Sequence, residues 1–489
     1  MNRRELLKRA GIVGGAGAVG LGGLGLYLGR DDGANKDRNR TRSAATPAPE
    51  SPTPAGRTET RATATPDDRS PAYADQFETV VNAVSAGADP NGNRPINSLL
   101  EGHAGDDTLI TFPAGTYRLR PVTLAGHENF GLVSAGDGRA TFVAPSGLCL
   151  GPNPFVDFEW VDDLLLDGID FDFRAAGAGG IIKLVADGNL TIRNLRTRGS
   201  CRGQIAAFRM DVVDEGGVGV VENLDARNHG NNETLTGIYV SNDHAGELTF
   251  RDCRLRGFSD NGLYASAPGD DDGNHGLVHT VGGNFRNNNI SNVRLGSDGS
   301  SARGVSISVD ATPDLDAVNL RGIRLRQGRD QRVEDCDIEI GPEAGESFGG
   351  IVFHGDNAGA YVKDTRITVD RDEVPAIHAF PRPDETEHAP LFENVTIDGG
   401  ATGGFAATID GRIGTVFRNC TITQRGANRG GVRFSDCNGC RIVDSRIEVQ
   451  GNPVVLENAT AALRNTTVVT PNGERTVQNE VVQNEVVGA

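Results

Sequence analysis

The sequence predicts an all-β fold, a right-handed parallel β-helix in which one chain winds through about 10 to 12 stacked coils. Two short patterns that recur along the chain predict it. Segment 349–369 contains both: a glycine-opened, strand-like run, Gly350–Phe353, and after a polar turn a second run, Tyr361–Ile367. Copies of the first run begin roughly 22 to 30 residues apart, which is the period of a solenoid.

The second run has a fixed order of residue types: an apolar residue, any residue, Asn or Asp, a small residue, any residue and an aliphatic residue. The apolar alternation slips by one residue at the Asn or Asp, which predicts a bend there. Asn and Asp tolerate the left-handed backbone that such a bend needs. The predicted bend residues are Asn194, Asp252, Asp335, Asp364, Asn394, Asn419, Asp444 and Asn465. The apolar residues predicted to stack as a buried ladder are Phe250, Val333, Val362, Phe392, Phe417, Ile442 and Leu463.

Residues 1–29 have the features of an export signal. The arginine pair Arg3 and Arg4, two leucines and a weakly apolar, glycine-rich stretch resemble a twin-arginine signal. No clean small-x-small cleavage site follows, so an uncleaved membrane anchor is the alternative, because about 20 residues suffice to span a bilayer. We therefore expect export to the cell surface, with a membrane tether left open.

Residues 30–72 are rich in Thr, Pro, Ala, Arg, Ser and Asp and almost free of apolar residues. This composition predicts a disordered linker. The whole chain has a net charge of −18 and few lysines among its 48 basic residues, a composition that resembles that of halophilic proteins. Such acidity argues against nucleic acid as a partner.

The first folded segments carry a resemblance to a known superfamily. A strand and turn in Val80–Gly92 precede a short helical segment, Ile96–Glu101, and the Phe-Pro-Ala-Gly-Thr-Tyr sequence of Leu109–Leu119. This order resembles the N-terminal cap of the pectate-lyase-like β-helix superfamily, in which the helix plugs the open end of the solenoid. The resemblance implies one β-helix domain over residues 73–470. It does not imply one reaction, because the superfamily contains lyases, hydrolases, epimerases, tailspikes and binding proteins.

Residues 471–489 contain a tandem Val-Gln-Asn-Glu-Val-Val duplication. Two alternatives remain open for it: pairing on the terminal coil, which would cover an edge, or a frayed tail.

The seven cysteines are not predicted to form a metal site. Cys253, Cys336 and Cys420 share the small-residue position after the bend, where we expect them to fill the core. Cys437 and Cys440 have the spacing of a redox or metal pair, but no second pair accompanies them, so zinc is not expected.

Candidate site residues follow from the alternation of the glycine-opened strand, whose third and fifth residues are predicted to point outward. The third residues are Tyr239, Tyr264, Arg294, Arg324, Val352, His378, Ala406 and Arg433. The fifth residues are Ser241, Ser266, Gly296, Arg326, His354, Phe380, Thr408 and Ser435. Stacked coils would place both sets on one flat face, bordered by longer turns that include Asp270–Asp272 and Pro381–His388.

A cationic and aromatic face suits an acidic polysaccharide, because arginine grips carboxylates through two hydrogen bonds and tyrosine rings lie under sugars. The predicted substrate-binding residues are Tyr239, Arg326, Arg382 and Arg433. Asp270, Asp271 and Asp272 are the predicted ligands of a Ca²⁺ ion.

Lyases of the superfamily need a neutralised carboxylate and a base. The resemblance therefore implies neutralisation by Arg294 or Arg324, proton abstraction by His354 or His378, and protonation of the leaving oxygen by Tyr264. The predicted function is β-elimination on a uronate-containing polysaccharide. The alternative is a non-catalytic β-helix that binds glycan or builds the cell surface, since outward charges also suit a solvated face.

Signatures of the best-known enzymes of the superfamily are missing. Asn274–Gly276 reads Asn-His-Gly, whereas polygalacturonases carry Gly-His-Gly. A lysine–arginine mechanism would have only Lys183 and Lys363 to use, and the sequence pattern places neither beside the arginine–histidine cluster.

Overall fold

The computed structural model describes residues 73–228, 234–312, 314–315, 318–382, 389–484 and 486–487. The predicted signal (1–29) and linker (30–72) lie outside the described residues. The described part is a parallel β-solenoid of about 13 turns, which confirms the predicted fold and slightly exceeds the predicted number of coils. The sequence repeat is hard to recognise in the early coils because their long strands, such as Cys149–Asp167, pair with several shifts of register.

Each coil contributes a strand to each of three parallel ladders. The front ladder comprises Val122–Ala125, Cys149–Asp167, Gly179–Arg193, Ala206–Val212, Thr236–Tyr239, Leu263–Ala265, Val293–Leu295, Leu320–Leu325, Ser347–Phe353, Ile377–Ala379, Phe405–Asp410, Gly430–Ser435 and Val454–Glu457.

The second ladder precedes the bend. It comprises Thr79–Asn82, Thr108–Arg118, Phe130–Val143, the two long strands shared with the front ladder, Val218–Glu222, Glu247–Arg251, Leu277–Val281, Ser301–Arg303, Gln331–Glu334, Ala360–Lys363, Leu391–Glu393, Val416–Arg418, Cys440–Val443 and Thr460–Thr470.

The third ladder follows the bend. It comprises Asn91–Pro95, the shared strands Thr108–Arg118 and Phe130–Val143, Ile169–Asp172, Arg196–Arg198, Asp225–Arg227, Arg254–Arg256, Asn284–Arg286, Ser306–Val309, Asp337–Ile340, Arg366–Val369, Thr396–Gly399, Thr421–Gln424, Arg446–Val449 and the shared strand Thr460–Thr470.

All eight predicted bend residues adopt the left-handed conformation, with φ between 45° at Asn465 and 55° at Asn394. Their side chains also bond from coil to coil. The Asn394 amide donates to Asp364 at 2.7 Å, and the Asn419 amide donates to Asn394 at 2.7 Å. The bend is therefore fixed both by backbone preference and by a ladder of amide hydrogen bonds.

The predicted apolar ladder is buried throughout, and no member is more than 1% exposed. The rings of Phe392 and Phe417 stack with their centroids 4.6 Å apart. Cys253, Cys336 and Cys420 are buried beside this ladder, and their thiols donate to backbone carbonyls. Small residues at this position thus fill the core, as expected.

The ends of the solenoid are covered. The helix Asn97–His103 buries Leu100 at the N-terminal end, where the sequence predicts a capping helix. At the other end, Gly473–Gln483 pairs antiparallel with Thr460–Thr470, and the short strand Val486–Val487 pairs antiparallel with Val454–Glu457. Among the two predicted alternatives, these described residues pair on the terminal coil. None of the helices within the described ranges has the length and apolar character needed to cross a bilayer.

Candidate functional site

One row of side chains on the front ladder carries most of the predicted site, and we call it the strip. Its members pair in register from coil to coil: Lys183, Arg209, Tyr239, Tyr264, Arg294, Arg324, Val352, His378, Thr408 and Arg433. Most of the predicted third residues therefore lie side by side. A second row, two residues further along each strand, holds Arg326 and His354.

The prediction is wrong in one coil. The sequence places Ala406 and Thr408 at the third and fifth positions, but the structure places Thr408 and Asp410 there, and Ala406 is buried. Gly403 and Gly404, with φ of 62° and 58°, form a left-handed turn before the strand. The strand therefore starts at Phe405, and the outward positions move by two residues.

Burial also differs from the expected flat, exposed face. Tyr264 is 3% exposed, Arg294 8% and Arg324 1%. Long side chains on neighbouring coils cover one another, because successive coils are only about 4.8 Å apart. The guanidinium carbon of Arg294 lies 4.1 Å from the centre of the Tyr264 ring, and its Nε donates to the Ser266 hydroxyl at 2.7 Å. The Tyr264 ring in turn meets that of Tyr239 edge-on, at 5.4 Å between centroids.

His354 belongs to a hydrogen-bonded chain of three side chains. Its Nδ1 lies 2.8 Å from Oδ1 of Asp356. The other carboxylate oxygen accepts hydrogen bonds from Nε and Nη2 of Arg326, both at 2.7 Å. The backbone N–H of Gln327 adds a bond of 3.2 Å to Oδ1. This arrangement fixes the orientation of the imidazole ring and leaves Nε2 without a partner among the described residues.

The electrostatics of these three side chains, Arg326, Asp356 and His354, favour a neutral histidine beside an ionised aspartate. Burial lowers the pKa of His354 below its ordinary value, and the hydrogen bond to Asp356 offsets this only in part. Burial acts to raise the pKa of Asp356, but the bond to His354 and the charge of Arg326 outweigh it, so that pKa falls well below its usual range. At neutral pH the Nδ1–H therefore donates to the carboxylate, and Nε2 carries a free lone pair.

His378 has a different environment. Its Nδ1 lies 3.2 Å from the carbonyl oxygen of Phe348, and its ring stacks on Phe380 at 4.1 Å between centroids. Burial lowers the pKa of His378 as well. With a carbonyl rather than a carboxylate as its partner, His378 lacks the acidic side chain that holds His354.

Arg412 lies behind the His354 turn and is not among the predicted site residues. Its side chain is 1% exposed and donates to three backbone carbonyls: Phe380 at 2.8 Å, Asn357 at 2.5 Å and His354 at 2.6 Å. Burial lowers the pKa of Arg412 to about 10, so the guanidinium remains charged at neutral pH. It holds both ends of the turn that carries Asp356. No signal in the sequence separates this arginine from a surface arginine.

The remaining predicted residues lie at the margins. Arg433 is 3.5 Å from Asp410 and lies against the ring of Phe405, at 5.7 Å from its centroid. Arg382 is half-buried at the edge of the turn whose residues 383–388 lie outside the described part. Lys183 lies on the strip itself, separated from Arg294 by Arg209, Tyr239 and Tyr264.

The acidic turn Asp270–Asp272 does not bring its carboxylates to one point. Asp270 accepts a hydrogen bond from the Gln327 amide, and burial raises its pKa. Asp272 accepts one from the Asn242 amide at 2.8 Å. Across the described ranges, no group of three His, Cys, Asp or Glu side chains is arranged to hold a metal ion. The calcium site stays a prediction from the sequence.

Comparisons with known proteins give remote structural likenesses only. No protein-family model matches the sequence, and no curated protein matches it significantly. Among solved structures, PfbA, a surface adhesin of Streptococcus pneumoniae, is 13% identical with a TM-score of 0.47, over 83% of this chain and 99% of that one. The catalytic unit of an α-1,3-glucanase from Streptomyces thermodiastaticus is 13% identical with a TM-score of 0.41, over 81% and 68%. The A-module of the mannuronan C-5 epimerase AlgE4 from Azotobacter vinelandii is 14% identical with a TM-score of 0.32, over 77% and 97%. Likenesses this remote transfer no activity to this chain.

Proposed function

We propose that this protein binds a uronate-containing polysaccharide along the strip and cleaves it by β-elimination. The observation that carries the proposal is the His354–Asp356 pair. It supplies a neutral imidazole of fixed orientation, two residues beyond Val352, and one of its nitrogens has no partner in the described part of the chain. Arg324 is the strip neighbour of Val352, so a cation and a base lie on adjacent coils. A base and a carboxylate-neutralising cation are the two groups that this reaction requires.

Arg294 is the best-placed group for the substrate carboxylate. Its contacts with Tyr264 and Ser266 involve neutral groups, and among the described residues no carboxylate lies within ion-pair distance of it. Arg294 is only 8% exposed and interacts electrostatically with Asp270 without forming an ion pair with it. A guanidinium that is not ion-paired attracts an anion, because little water screens its charge. Its forked guanidinium also matches the geometry of a carboxylate. A uronate carboxyl group fits that requirement.

The reaction then proceeds by two proton transfers. Nε2 of His354 takes the proton from the carbon next to the carboxylate, which the guanidinium of Arg294 or Arg324 makes acidic. The electron pair forms a carbon–carbon double bond, and the bond to the glycosidic oxygen on the next carbon breaks. Tyr264 gives its hydroxyl proton to the leaving oxygen. Exchange with water returns a proton to Tyr264 and removes one from His354.

The test uses the purified full chain and a panel of polyuronates, with a neutral glucan as control. We expect ultraviolet absorbance from unsaturated sugar ends to rise with one or more polyuronates and not with the glucan. Binding of a polyuronate without such absorbance would contradict the lyase proposal.

A non-catalytic glycan-binding protein is the second candidate. The burial of the arginines nearest His354 favours it, because Arg324 is 1% exposed and Arg326 is already paired with Asp356. Neither side chain is then open to neutralise a carboxylate beside the base. Such a protein would bind polyuronates with an affinity that substitution of His354 leaves unchanged, and it would release no product.

Export to the cell surface through the twin-arginine route is the third part of the proposal, and it rests on the sequence of residues 1–29. Replacing Arg3 and Arg4 together by lysine should retain the protein in the cytoplasm, because lysine does not reproduce the guanidinium pair. Fractionation of cells followed by immunoblotting measures this. A double variant that still reaches the surface would refute the assignment of the signal.

A further inference from the structure

Two Cys-x-Gly segments, Cys149–Gly151 and Cys201–Gly203, lie side by side although they belong to different coils. Sγ of Cys149 lies 3.2 Å from the carbonyl oxygen of Arg202. A Cβ atom built on Gly151 would lie 3.7 Å from the carbonyl oxygen of Gly203. Both glycines have a left-handed backbone, with φ of 56° and 80°. The two segments therefore follow matching paths, cysteine beside cysteine and glycine beside glycine.

Gly179 creates the space in which the two cysteines meet. Cys149 pairs in register with Gly179 on the front ladder. A Cβ atom on Gly179 would lie only 2.6 Å from both Cβ and Sγ of Cys201, so the Cys201 side chain occupies the volume that a side chain at Gly179 would fill. Gln204 holds Cys201 in this position. Its Oε1 accepts the Cys201 N–H at 3.2 Å, and its Nε2 donates to the Gly180 carbonyl at 3.0 Å.

We propose that Cys149 and Cys201 are a redox pair that closes to a disulfide in an oxidising environment and fastens the early coils to one another. This proposal does not depend on the proposed function. The pair differs from the other five cysteines, which are buried in the core, because Cys149 is exposed to solvent and open to reagents. A bond between them closes a long loop of chain, and such loops gain most from a cross-link in the chain-entropy account.

The chemistry is thiol–disulfide exchange with a low-molecular-weight disulfide such as oxidised glutathione. The Cys149 thiolate attacks one sulfur of glutathione disulfide, and one glutathione thiolate leaves with the electron pair of the broken bond. The Cys201 thiolate then attacks Sγ of Cys149 and expels the second glutathione. Two protein thiols are oxidised, the glutathione disulfide is reduced to two thiols, and the protons of the protein thiols pass through solvent to the glutathione. Burial raises the pKa of Cys201 to about 11, so exposed Cys149 reacts first.

The experiment treats the native full chain with oxidised glutathione, blocks remaining thiols under denaturing conditions, and identifies the peptides by mass spectrometry. We expect a peptide pair linked through Cys149 and Cys201, with the other five cysteines blocked as free thiols. The melting temperature of the oxidised protein should fall on the order of 5 °C when a reductant is added. The variant Cys149→Ser should melt like the reduced wild type, with or without reductant.

Two outcomes would overturn the proposal. One is a stable glutathione adduct on Cys149 with Cys201 still a free thiol, which would mean that the two sulfurs do not reach each other. The other is a reductant effect on melting that persists undiminished in Cys149→Ser, which would assign it to a different pair. Since Cys149 is exposed, the serine variant should fold, and its melting curve verifies this.

Discussion

The two cations at the N-terminal end of the strip, Lys183 and Arg209, differ from Arg294, which lies further toward its C-terminal end. At the N-terminal end, Lys183 lies 3.3 Å from a carboxylate oxygen of Asp157. Arg209 donates to Asp211 and Asp243, both at 2.7 Å. Asp211 is fully buried, and the guanidinium is its counterion. The charge of each cation is therefore neutralised within the protein.

Toward the C-terminal end, Arg433 lies 3.5 Å from Asp410, but Arg294 contacts an aromatic ring and a hydroxyl group instead of a carboxylate among the described residues. A ring and a hydroxyl hold the guanidinium in place without neutralising it. The difference shows that burial and row position do not decide the role of an arginine. What decides the role is whether a carboxylate is paired with the arginine. Arg209 is so paired and is part of the fold, whereas Arg294 is a candidate for anion binding.

The largest expected effect comes from His354 at the C-terminal end. His354→Ala should lower turnover of the polyuronate by about 10²- to 10⁴-fold, the contribution typical of a general base. Affinity should change little, since the contacts of the ring lie within the protein. Steady-state kinetics and equilibrium binding measure the two quantities. His279→Ala is the control, because that histidine lies on the second ladder and bonds Ser301 at 2.8 Å. Equal losses in both variants would contradict the assignment of the base.

The comparison of the two ends predicts unequal effects of one substitution. Arg294→Lys should weaken polyuronate binding about tenfold, because lysine cannot make the forked contact and a charged hydrogen bond is worth about 1.5–3 kcal/mol. Arg209→Lys should leave affinity unchanged and lower the melting temperature, since it disturbs an internal ion pair. Isothermal titration and thermal melting give both values. If the two variants lose affinity equally, the charge of the N-terminal end also serves binding.

Arg412 and Arg429 form a matched pair that separates positioning from stability. Arg429 is also buried and bonds the carbonyls of Gly403 and Val374, at 2.9 and 2.7 Å, but its contacts do not include the His354 turn. Each change to lysine should destabilise the fold by about 1–3 kcal/mol. Only Arg412→Lys should also lower turnover, by roughly threefold to tenfold, because small displacements of a base are costly.

The readouts for this pair are denaturant unfolding, turnover, and the NMR titration of His354. Arg412→Lys should shift that titration and Arg429→Lys should not. A loss of turnover that merely follows the loss of stability in both variants would reduce Arg412 to a structural role.

The fold was predictable because each coil places the same types of residue at the same positions. Asn or Asp at each bend and an apolar residue two positions earlier are consequences of backbone conformation and burial, so they are visible in one sequence. The misplaced coil shows the limit of this reasoning. Gly403 and Gly404 extend the turn before Phe405, and a pattern that opens each strand at a glycine, here Gly404, cannot tell which residue starts the strand.

The site was only partly predictable for a different reason. Alternation predicts which side chains leave the core, and Arg294 and Arg324 do share one row. Whether a row is open or covered depends on the sizes of its neighbours and on the turns beside it. Asp356 contacts His354 from within the same turn, and Arg412 reaches that turn from a different coil. No periodic signal marks either contact.

The smallest expected effect concerns a histidine at the N-terminal end, His244, and the pH dependence of stability. It is fully buried; its Nδ1 accepts the Val212 N–H at 3.1 Å, and its Nε2 donates to the Leu277 carbonyl at 3.0 Å. Burial lowers its pKa below the ordinary 6.5, and the Leu277 bond and the charge of Asp211 offset this in part. The unfolded chain therefore binds a proton that the folded protein resists. Stability is then complete above pH 6.5 and is lost as the pH falls from there through the lower folded pKa.

Melting temperatures measured from about pH 7.5 to 5.5 should fall in the wild type and fall less steeply in His244→Gln, which starts lower because it loses the two bonds. His354 contributes in the same direction, so His354→Ala serves as the matched control. If the melting temperature of His244→Gln falls with pH as steeply as that of the wild type, the acid sensitivity arises toward the C-terminal end of the strip, where His354 lies. Burial of neutral His244 would then not cause it.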